Sequence, residues 1–190
     1  MYSASIDPYC YPGTKILENL ADIKKPKQLR QFELLMTSQR FLEPQPSGRL
    51  GVKHYCSIHH HLFQDVYAWA GKPRSVRISK EKSVFCYPEH ISAEMTRVFA
   101  ELRGKLYLNH LQRAEFANQA AHFLSELNAI HPFRDGNGRT QLAFMAMLGA
   151  RAGHPLNLSK LHKTKFLKAV IASFSGQERS LVKEILILVT

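Results

Sequence analysis

The residues from His131 to Leu142, HPFRDGNGRTQL, combine a base, an acid, a glycine-rich turn and an arginine in one short segment. Gly136 and Gly138 flank Asn137, so three successive positions tolerate the positive φ angles that aim backbone N–H groups at one point. Such a nest binds anions, and a helix that begins near Gly138 adds the positive end of its dipole. The segment therefore predicts a phosphate-binding loop.

Three side chains of this loop suit phosphate transfer. Asp135 repels phosphate by itself, but a carboxylate that binds Mg²⁺ together with phosphate oxygens removes the conflict. Arg139 can donate two parallel hydrogen bonds to phosphate oxygens. His131 can act as general base toward an attacking hydroxyl, because histidine titrates near neutral pH. The sequence thus predicts a catalytic base, a magnesium ligand and a phosphate ligand within one loop.

The elements that must position the loop are helices. Apolar residues recur at helical spacing on both sides of it and through most of the chain. Between residues 74 and 87 apolar residues instead alternate around a polar centre, which predicts a two-stranded hairpin. We therefore predict a mainly α fold of about seven or eight helices with one small β-hairpin. The predicted helices cover residues 27–43, 52–69, 91–106, 112–130, 139–152, 161–174 and 179–188.

The loop resembles the signature of the Fic family, HxFx[D/E]GNGRxxR. The matching positions are His131, Phe133, Asp135, Gly136, Asn137, Gly138 and Arg139. The segment from Ile58 to Arg74, IHHHLFQDVYAWAGKPR, and the segment YPGTKILENL near the start of the chain are also similar to Fic domains of bacterial toxins and type IV secretion effectors. The resemblance extends over nearly the whole chain, so we expect one Fic-like domain over residues 1–190, either complete or part of a longer effector.

The resemblance implies transfer of AMP from ATP to a hydroxyl side chain of a target protein. In that family the motif histidine is the base, the acidic residue holds Mg²⁺, and the glycine-rich turn with its following arginine binds the phosphates. These roles fall on His131, on Asp135, and on Gly136 to Arg139. Transfer of UMP or phosphocholine is the alternative within enzymes. A degenerate domain that binds a partner without turnover is the alternative of another class.

The chain departs from the signature at Leu142, where the family has a second arginine. That arginine is associated in the family with the terminal phosphate of ATP and with an inhibitory glutamate. Its loss removes one charge-assisted contact to the nucleotide. Arg134, Arg151 and Lys160 are nearby cations that could replace it, and the sequence does not choose among them.

The resemblance to the Fic family also implies a function for the hairpin. In Fic proteins the equivalent element is a flap that pairs its main chain with the target segment. Strand addition of this kind takes its register from backbone hydrogen bonds and its specificity from side chains. We therefore expect target contacts from the flap residues Arg77, Ile78, Ser79, Lys80 and Lys82.

Thr14, Glu18 and Asn19 fit the family's inhibitory pattern, [S/T]xxxE[G/N]. A pattern this short arises readily by chance from average composition. The simpler interpretation is a surface helix that Thr14 caps. Control by a separate inhibitory antitoxin is the alternative to self-inhibition.

Composition restricts the partners and the compartment. The chain has 26 Lys and Arg against 15 Asp and Glu, a formal net charge of +11, without any recognisable nucleic-acid-binding motif. An acidic target or antitoxin is expected, and nucleic acid is not.

The odd number of cysteines and the lack of CxxC spacing argue against a disulfide framework. No signal peptide or membrane insertion is expected, so we predict the cytosol, of the producing bacterium or of a host that receives the protein as an effector.

Three consecutive histidines, His59, His60 and His61, invite a metal site. Consecutive residues of a helix point in different directions, whereas metal ligands on a helix are spaced three or four residues apart. The spacing therefore disfavours a metal site there.

Overall fold

The structure, a computed structural model, describes residues 7–80 and 83–190 of the chain. These residues form a mainly helical fold, which confirms the predicted fold class. None of the described helices has the length and apolar character needed to cross a membrane. The elements in chain order are α1 (Pro26–Leu42), α2 (Val52–Phe63), β1 (Ser79–Lys80), β2 (Ser83–Val84), α3 (Ile91–Gly104), α4 (Arg113–Ile130), α5 (Asn137–Arg151), α6 (Lys163–Ser173) and α7 (Arg179–Leu188). Short 3-10 turns lie at Pro88–His90, Leu106–Leu108 and Leu158–Lys160.

The central helix is α4, which packs against α3, α5, α6 and α7. Its buried residues occupy most of its circumference: Phe116, Ala117, Ala120, Ala121, Phe123, Leu124, Ser125, Leu127, Asn128 and Ile130. A helix buried in this way cannot shift without opening cavities in the core. The next helix, α5, packs against both α4 and α2. The loop between α4 and α5 is therefore held at both ends by core elements.

The predicted helix over residues 52–69 ends at Phe63 in the structure. Beyond it the chain continues in turns, where the N–H groups of Val66 and Tyr67 both donate to the Phe63 carbonyl at 2.9 Å. Val66, Tyr67 and Ala70 are nevertheless buried. The apolar pattern continues past the helix because apolar residues mark buried positions, and these turn residues are buried too. The predicted helix end was therefore wrong.

A two-stranded antiparallel hairpin lies within the predicted range of residues 74–87. Ser79 pairs with Val84 and Lys80 pairs with Ser83, so each strand is two residues long. One further main-chain bond, from the Phe85 N–H to the Ile78 carbonyl at 3.3 Å, extends the pairing. Since an isolated hairpin of this length is marginally stable, it depends on contacts with the helices.

Residues 11–16 form a turn, where the sequence favoured a surface helix capped by Thr14. Gly13 has a φ of 72°, and the Tyr11 N–H donates to the Ile16 carbonyl at 2.9 Å. The Thr14 hydroxyl donates to the Tyr11 carbonyl at 2.9 Å and accepts from the Ile16 N–H at 3.1 Å. The helix prediction was wrong because Pro12 followed by a glycine with positive φ favours chain reversal over helix initiation.

Glu18 and Asn19, the other members of the inhibitory pattern, follow this turn. The Glu18 side chain is exposed. The Asn19 amide donates to the carbonyls of Leu17 at 3.1 Å and Ile23 at 2.9 Å. These bonds hold together the segment that leads into α1. The pattern therefore begins on a turn and includes no helix, and its asparagine has a structural role.

Candidate active site

The α4–α5 loop begins and ends with residues in the left-handed region. His131 caps α4 with a φ of 49°, and its N–H donates to the Leu127 carbonyl at 3.1 Å. A left-handed conformation is uncommon for a residue other than glycine, asparagine or aspartate, and it occurs at functional sites. Gly136, with a φ of 82°, precedes the first residue of α5. The two turns bring the residues between them back toward the core, where Phe133 is fully buried.

Gly136 and Gly138 differ in how much space a side chain would have at each position. A Cβ on Gly136 would lie 2.3 Å from the Phe63 ring, so packing and positive φ both require glycine there. A Cβ on Gly138 would meet no heavy atom within 4 Å among the neighbours that the structure describes. The backbone at Gly138 is therefore open toward the adjoining cleft and accessible to a ligand.

Asn137 closes the loop with its side chain. The amide donates to the Phe133 carbonyl at 2.8 Å and accepts from the Phe133 N–H at 3.0 Å, in a setting where Asn137 is 2% exposed. These bonds hold the side chain inside the loop, so the backbone N–H is the group with which Asn137 can bind an anion. The first intrahelical bond runs from Thr140 to Gly136, so the N–H groups before Thr140 lie at the open end of the helix.

His59 holds the same loop from α2, a role that the sequence analysis missed. Its Nδ1 accepts from the Gly71 N–H at 2.8 Å, and its Nε2 lies 3.0 Å from the Asp135 carbonyl. These partners assign the proton to Nε2, which donates to Asp135. The ring stacks on Phe133 with centroids 3.8 Å apart. Burial lowers the pKa of His59 from its ordinary 6.5 to about 3, so the ring is neutral at neutral pH.

Arg139 is anchored by α1, another contact that the sequence analysis missed. Its Nη2 lies 2.6 Å from a Glu33 carboxylate oxygen, and its Nη1 donates to the Thr37 hydroxyl at 3.2 Å. Tyr67 donates to the other oxygen of Glu33. The guanidinium also lies 4.5 Å from the Phe63 ring centroid, which favours a cation–π contact. Arg139 is thus held at one edge of the loop before any ligand binds.

The predicted loop residues meet at a cleft of about 440 Å³. From the α4–α5 side the cleft is lined by Asn128, His131, Asp135, Gly136, Asn137, Gly138, Arg139, Gln141 and Leu142. The opposite wall is formed by Leu161, Lys163, Phe166, Leu167 and Val170. The structure therefore brings the predicted base, acid, nest and arginine to a single site with one largely apolar wall.

Asp135 is suited to a hard cation. Its side chain is 49% exposed, and one carboxylate oxygen accepts from the Gly136 N–H at 2.5 Å. The residue also lines the cleft. A half-exposed carboxylate beside a turn predicted to bind phosphate has the ligand chemistry that Mg²⁺ prefers.

The three cations proposed as replacements for the missing arginine do not line the cleft. Arg134 binds Asp7 with an N to O distance of 2.6 Å, and the Arg151 guanidinium lies 4.1 Å from the Tyr107 ring centroid. Lys160 is exposed outside the cleft lining. Lys163, which the sequence analysis did not consider, lines the cleft together with Leu142. Lys163 is therefore the cation that the fold places opposite the loop.

His131 lies between the cleft and the hairpin. Its ring stacks on Phe85, the residue after β2, with centroids 3.9 Å apart and an interplanar angle of 19°. Its Nδ1 lies 3.3 Å from the Asn128 carbonyl. If Nδ1 carries the proton, Nε2 is the basic nitrogen. The stacking places the end of the hairpin directly against the candidate base.

The predicted flap residues differ in their surroundings. Arg77 is exposed and lies over the Tyr87 ring, with 4.2 Å between the guanidinium carbon and the ring centroid. Ile78 and Ser79 take part in the main-chain pairing of the hairpin, and Lys80 pairs through its backbone with Ser83. Lys82 lies outside the described residues.

We expect Asn137→Ala to lower the free energy of unfolding by about 1–3 kcal/mol, because it leaves the buried N–H and carbonyl of Phe133 without partners. Urea denaturation followed by circular dichroism measures the effect. Asn118→Ala is the matched control, since that asparagine is exposed on α4. Equal effects of the two substitutions would contradict the role assigned to Asn137.

The lowered pKa of His59 predicts a pH-dependent stability. The unfolded state binds a proton at this residue below pH 6.5, whereas the folded state does so only near pH 3. Stability is therefore present above pH 6.5 and is lost as the pH falls, by about 2 kcal/mol between pH 7 and pH 5. Urea denaturation at both pH values checks this: His59→Gln should flatten the dependence, and the exposed His60→Gln should retain it.

Comparisons with known proteins identify the family of the chain. The model of the Fic/DOC family matches residues 49–148, which include α2, the hairpin, α4 and the loop. Probable protein adenylyltransferase y4lH of Sinorhizobium fredii is 50% identical over 188 residues, which cover 97% of this chain and 96% of that protein. Protein adenylyltransferase VbhT of Bartonella schoenbuchensis is 35% identical over 178 residues, which cover 92% of this chain and 37% of that protein.

The fold also matches a solved structure that contains a nucleotide analogue. BepC, a VirB-translocated effector of Bartonella tribocorum whose crystal structure holds bound AMPPNP, superimposes with a TM-score of 0.86 at 27% identity. The match covers 96% of each chain. The sequence match, the common fold and the loop signature lead to one conclusion: the chain belongs to the Fic/DOC family.

Proposed function

We propose that this protein transfers AMP from ATP to a Ser, Thr or Tyr hydroxyl of a target protein, with His131 as general base. The enzyme class, protein adenylyltransferase, follows from relatives of that name, one of them 50% identical over nearly the whole chain. The observation that carries the mechanism is the convergence of His131, Asp135 and the open end of α5 on one cleft.

ATP is the proposed co-substrate because the cleft has the chemistry of a nucleotide site. Its volume of about 440 Å³ is typical of small-molecule sites. The N–H groups at the start of α5 and the exposed backbone at Gly138 would bind phosphate oxygens, and the apolar wall would bind the base. The AMPPNP in BepC, at 27% identity, supports this assignment.

Mg²⁺ is the proposed cofactor, and Asp135 would hold it. The cation would neutralise the repulsion between the Asp135 carboxylate and the phosphates and would increase the electrophilicity of the phosphorus. Arg139, held by Glu33 at 2.6 Å, would add a second positive charge on the same side of the loop.

In the proposed reaction the target hydroxyl attacks the α-phosphorus while its proton passes to Nε2 of His131. A new P–O bond forms to the target, the bond to the β-phosphate oxygen breaks, and pyrophosphate leaves. The contact of Nδ1 with the Asn128 carbonyl at 3.3 Å would keep the ring in the tautomer that accepts this proton. Most of the rate enhancement in such transfers comes from positioning and charge stabilisation.

The target would dock at the hairpin. Its segment would add to a hairpin strand through main-chain bonds, and Arg77, Ile78, Ser79, Lys80 and Lys82 would contact it. Three of these residues, Arg77, Lys80 and Lys82, are basic, which in a chain of net charge +11 suits an acidic target segment.

A separate inhibitory protein is the proposed means of control, because the 14–19 segment is not helical and Leu142 cannot bind an inhibitory glutamate.

We place the enzyme in the cytosol of its producer or, since the similar protein BepC is a translocated effector, in the cytosol of a host cell. A toxin or an effector function fits both locations.

Replacing His131 with alanine should lower AMP transfer by about 10²–10⁴-fold, because it removes the general base. The measurement is the initial rate of label incorporation from ATP labelled at the α-phosphate, with Mg²⁺ and a bacterial or host lysate as acceptor. His122→Ala, an exposed histidine on α4, should leave the rate unchanged.

Parallel reactions with UTP and CDP-choline identify the donor. Incorporation from one of these and not from ATP would overturn AMP transfer. Absence of incorporation from all three, by folded protein that binds ATP, would favour the partner-binding module.

Lys163→Gln should weaken Mg²⁺–ATP binding by roughly three- to tenfold, because it removes the cation opposite the loop. Titration calorimetry measures the affinity, and Lys160→Gln is the matched control on the neighbouring 3-10 turn. Adding Leu142→Arg to Lys163→Gln should restore binding. An affinity that Lys163→Gln leaves unchanged would refute the assignment.

A further inference from the structure

A buried arginine joins the hairpin to the loop that carries His131. Arg74 is 2% exposed, and the described partners of its guanidinium are main-chain carbonyls. Two belong to the hairpin segment, Val76 and Cys86, each at 2.6 Å. Two belong to the end of α4 and its cap, Ile130 at 3.3 Å and His131 at 2.9 Å. One planar group therefore binds both segments.

Two main-chain bonds support the same junction. The Arg74 N–H donates to the Pro132 carbonyl at 2.8 Å, and the Cys86 N–H donates to the Ala129 carbonyl at 3.1 Å. Phe85, next to Cys86, is 8% exposed and stacks on the His131 ring with centroids 3.9 Å apart. Arg74, before the hairpin, and Cys86, after it, are thus both bonded to the segment around the candidate base.

The chemistry of this junction requires arginine. Burial lowers the pKa of Arg74, but guanidinium remains charged because its ordinary pKa is so high. An apolar side chain would avoid the desolvation cost of the charge but would leave buried carbonyls without donors. Lysine has the charge but lacks the planar set of donors that reaches carbonyls of two segments together.

We propose that Arg74 is a positioning residue that fixes the hairpin and His131 relative to each other. This inference rests on the proposed function, in which the hydroxyl belongs to a target segment docked on the hairpin and loses its proton to His131. Arg74 sets the separation of these two groups, and Phe85 transmits the position of the hairpin to the imidazole ring. Small errors in that separation are costly, because proton transfer and attack both require a narrow range of distances.

The nucleotide half of the site is held by other contacts. The bonds from Asn137 to Phe133 and from His59 to Asp135 fix the start of α5 without Arg74. Loss of Arg74 should therefore impair transfer to the target while ATP binding persists. A residue needed only for folding would lower both together.

The test compares Arg74→Lys with Arg113→Lys. Arg113 also donates to main-chain carbonyls, those of Leu186 at 2.8 Å and Val189 at 3.0 Å, but lies outside the cleft lining. The measurements are the rate of label transfer at saturating Mg²⁺–ATP and the affinity for AMPPNP by calorimetry. Arg74→Lys should slow transfer by about tenfold or more and change the affinity by less than about twofold, while Arg113→Lys changes neither.

Normal transfer by Arg74→Lys would overturn the proposal, and so would equal losses of transfer and AMPPNP affinity. If Arg74→Lys does not fold, Phe85→Leu decides, because it keeps an apolar side chain and removes only the stacked ring. Slower transfer with retained AMPPNP affinity supports the proposal, and unchanged transfer overturns it.

A readout independent of activity separates this proposal from the proposed function. The Hε1 proton of His131, assigned by its loss in His131→Ala, should be shifted upfield by the ring current of Phe85. Arg74→Lys and Phe85→Leu should both move it downfield, and Arg113→Lys should not. An unmoved resonance in Arg74→Lys would overturn the positioning role, even if the wild type transferred no label.

Discussion

The α4–α5 loop is packed into the core, so its main-chain polar groups must find partners away from water. Three buried side chains supply them. Asn137 binds both groups of Phe133, His59 binds the Asp135 carbonyl, and Arg74 binds the carbonyl of His131. Because an unpaired buried polar group costs about as much as a hydrogen bond contributes, each partner holds the backbone in one conformation. The geometry of the site follows from this constraint.

Two groups of contacts divide the site into halves. The start of α5, with Asn137 and His59, forms the half suited to phosphate. The hairpin, with Arg74 and Phe85, forms the half that faces the proposed target. His131 lies where they meet, since its backbone caps α4 and its ring stacks on Phe85. A base in this position can take the proton of a hydroxyl presented by one half as that hydroxyl attacks a phosphorus bound in the other.

Charge is arranged around the loop by distant elements. Glu33 on α1 binds Arg139, and Lys163 at the start of α6 lines the opposite wall of the cleft. The Glu33 carboxylate holds the guanidinium beside the loop and balances its positive charge in part. Such a pair is preorganised, so a bound anion would meet a group already in place and would incur little reorganisation cost. Lys163 lines the cleft with Leu142, the position at which the family signature has its second arginine.

The position of the loop, its candidate residues and most of the helices could be predicted from the sequence, because these features are local. Glycines flanking Asn137 and a histidine and an aspartate near them are readable within a few residues, and helical periodicity spans a few turns. The partners of the loop became visible in the folded chain alone. His59, Arg74 and Glu33 lie far from it in the chain, and no spacing rule connects them to it. The wrong prediction of a helix capped by Thr14 has a related cause. Cap signals compete with chain reversal at Gly13, and the contacts made after folding decide which conformation forms.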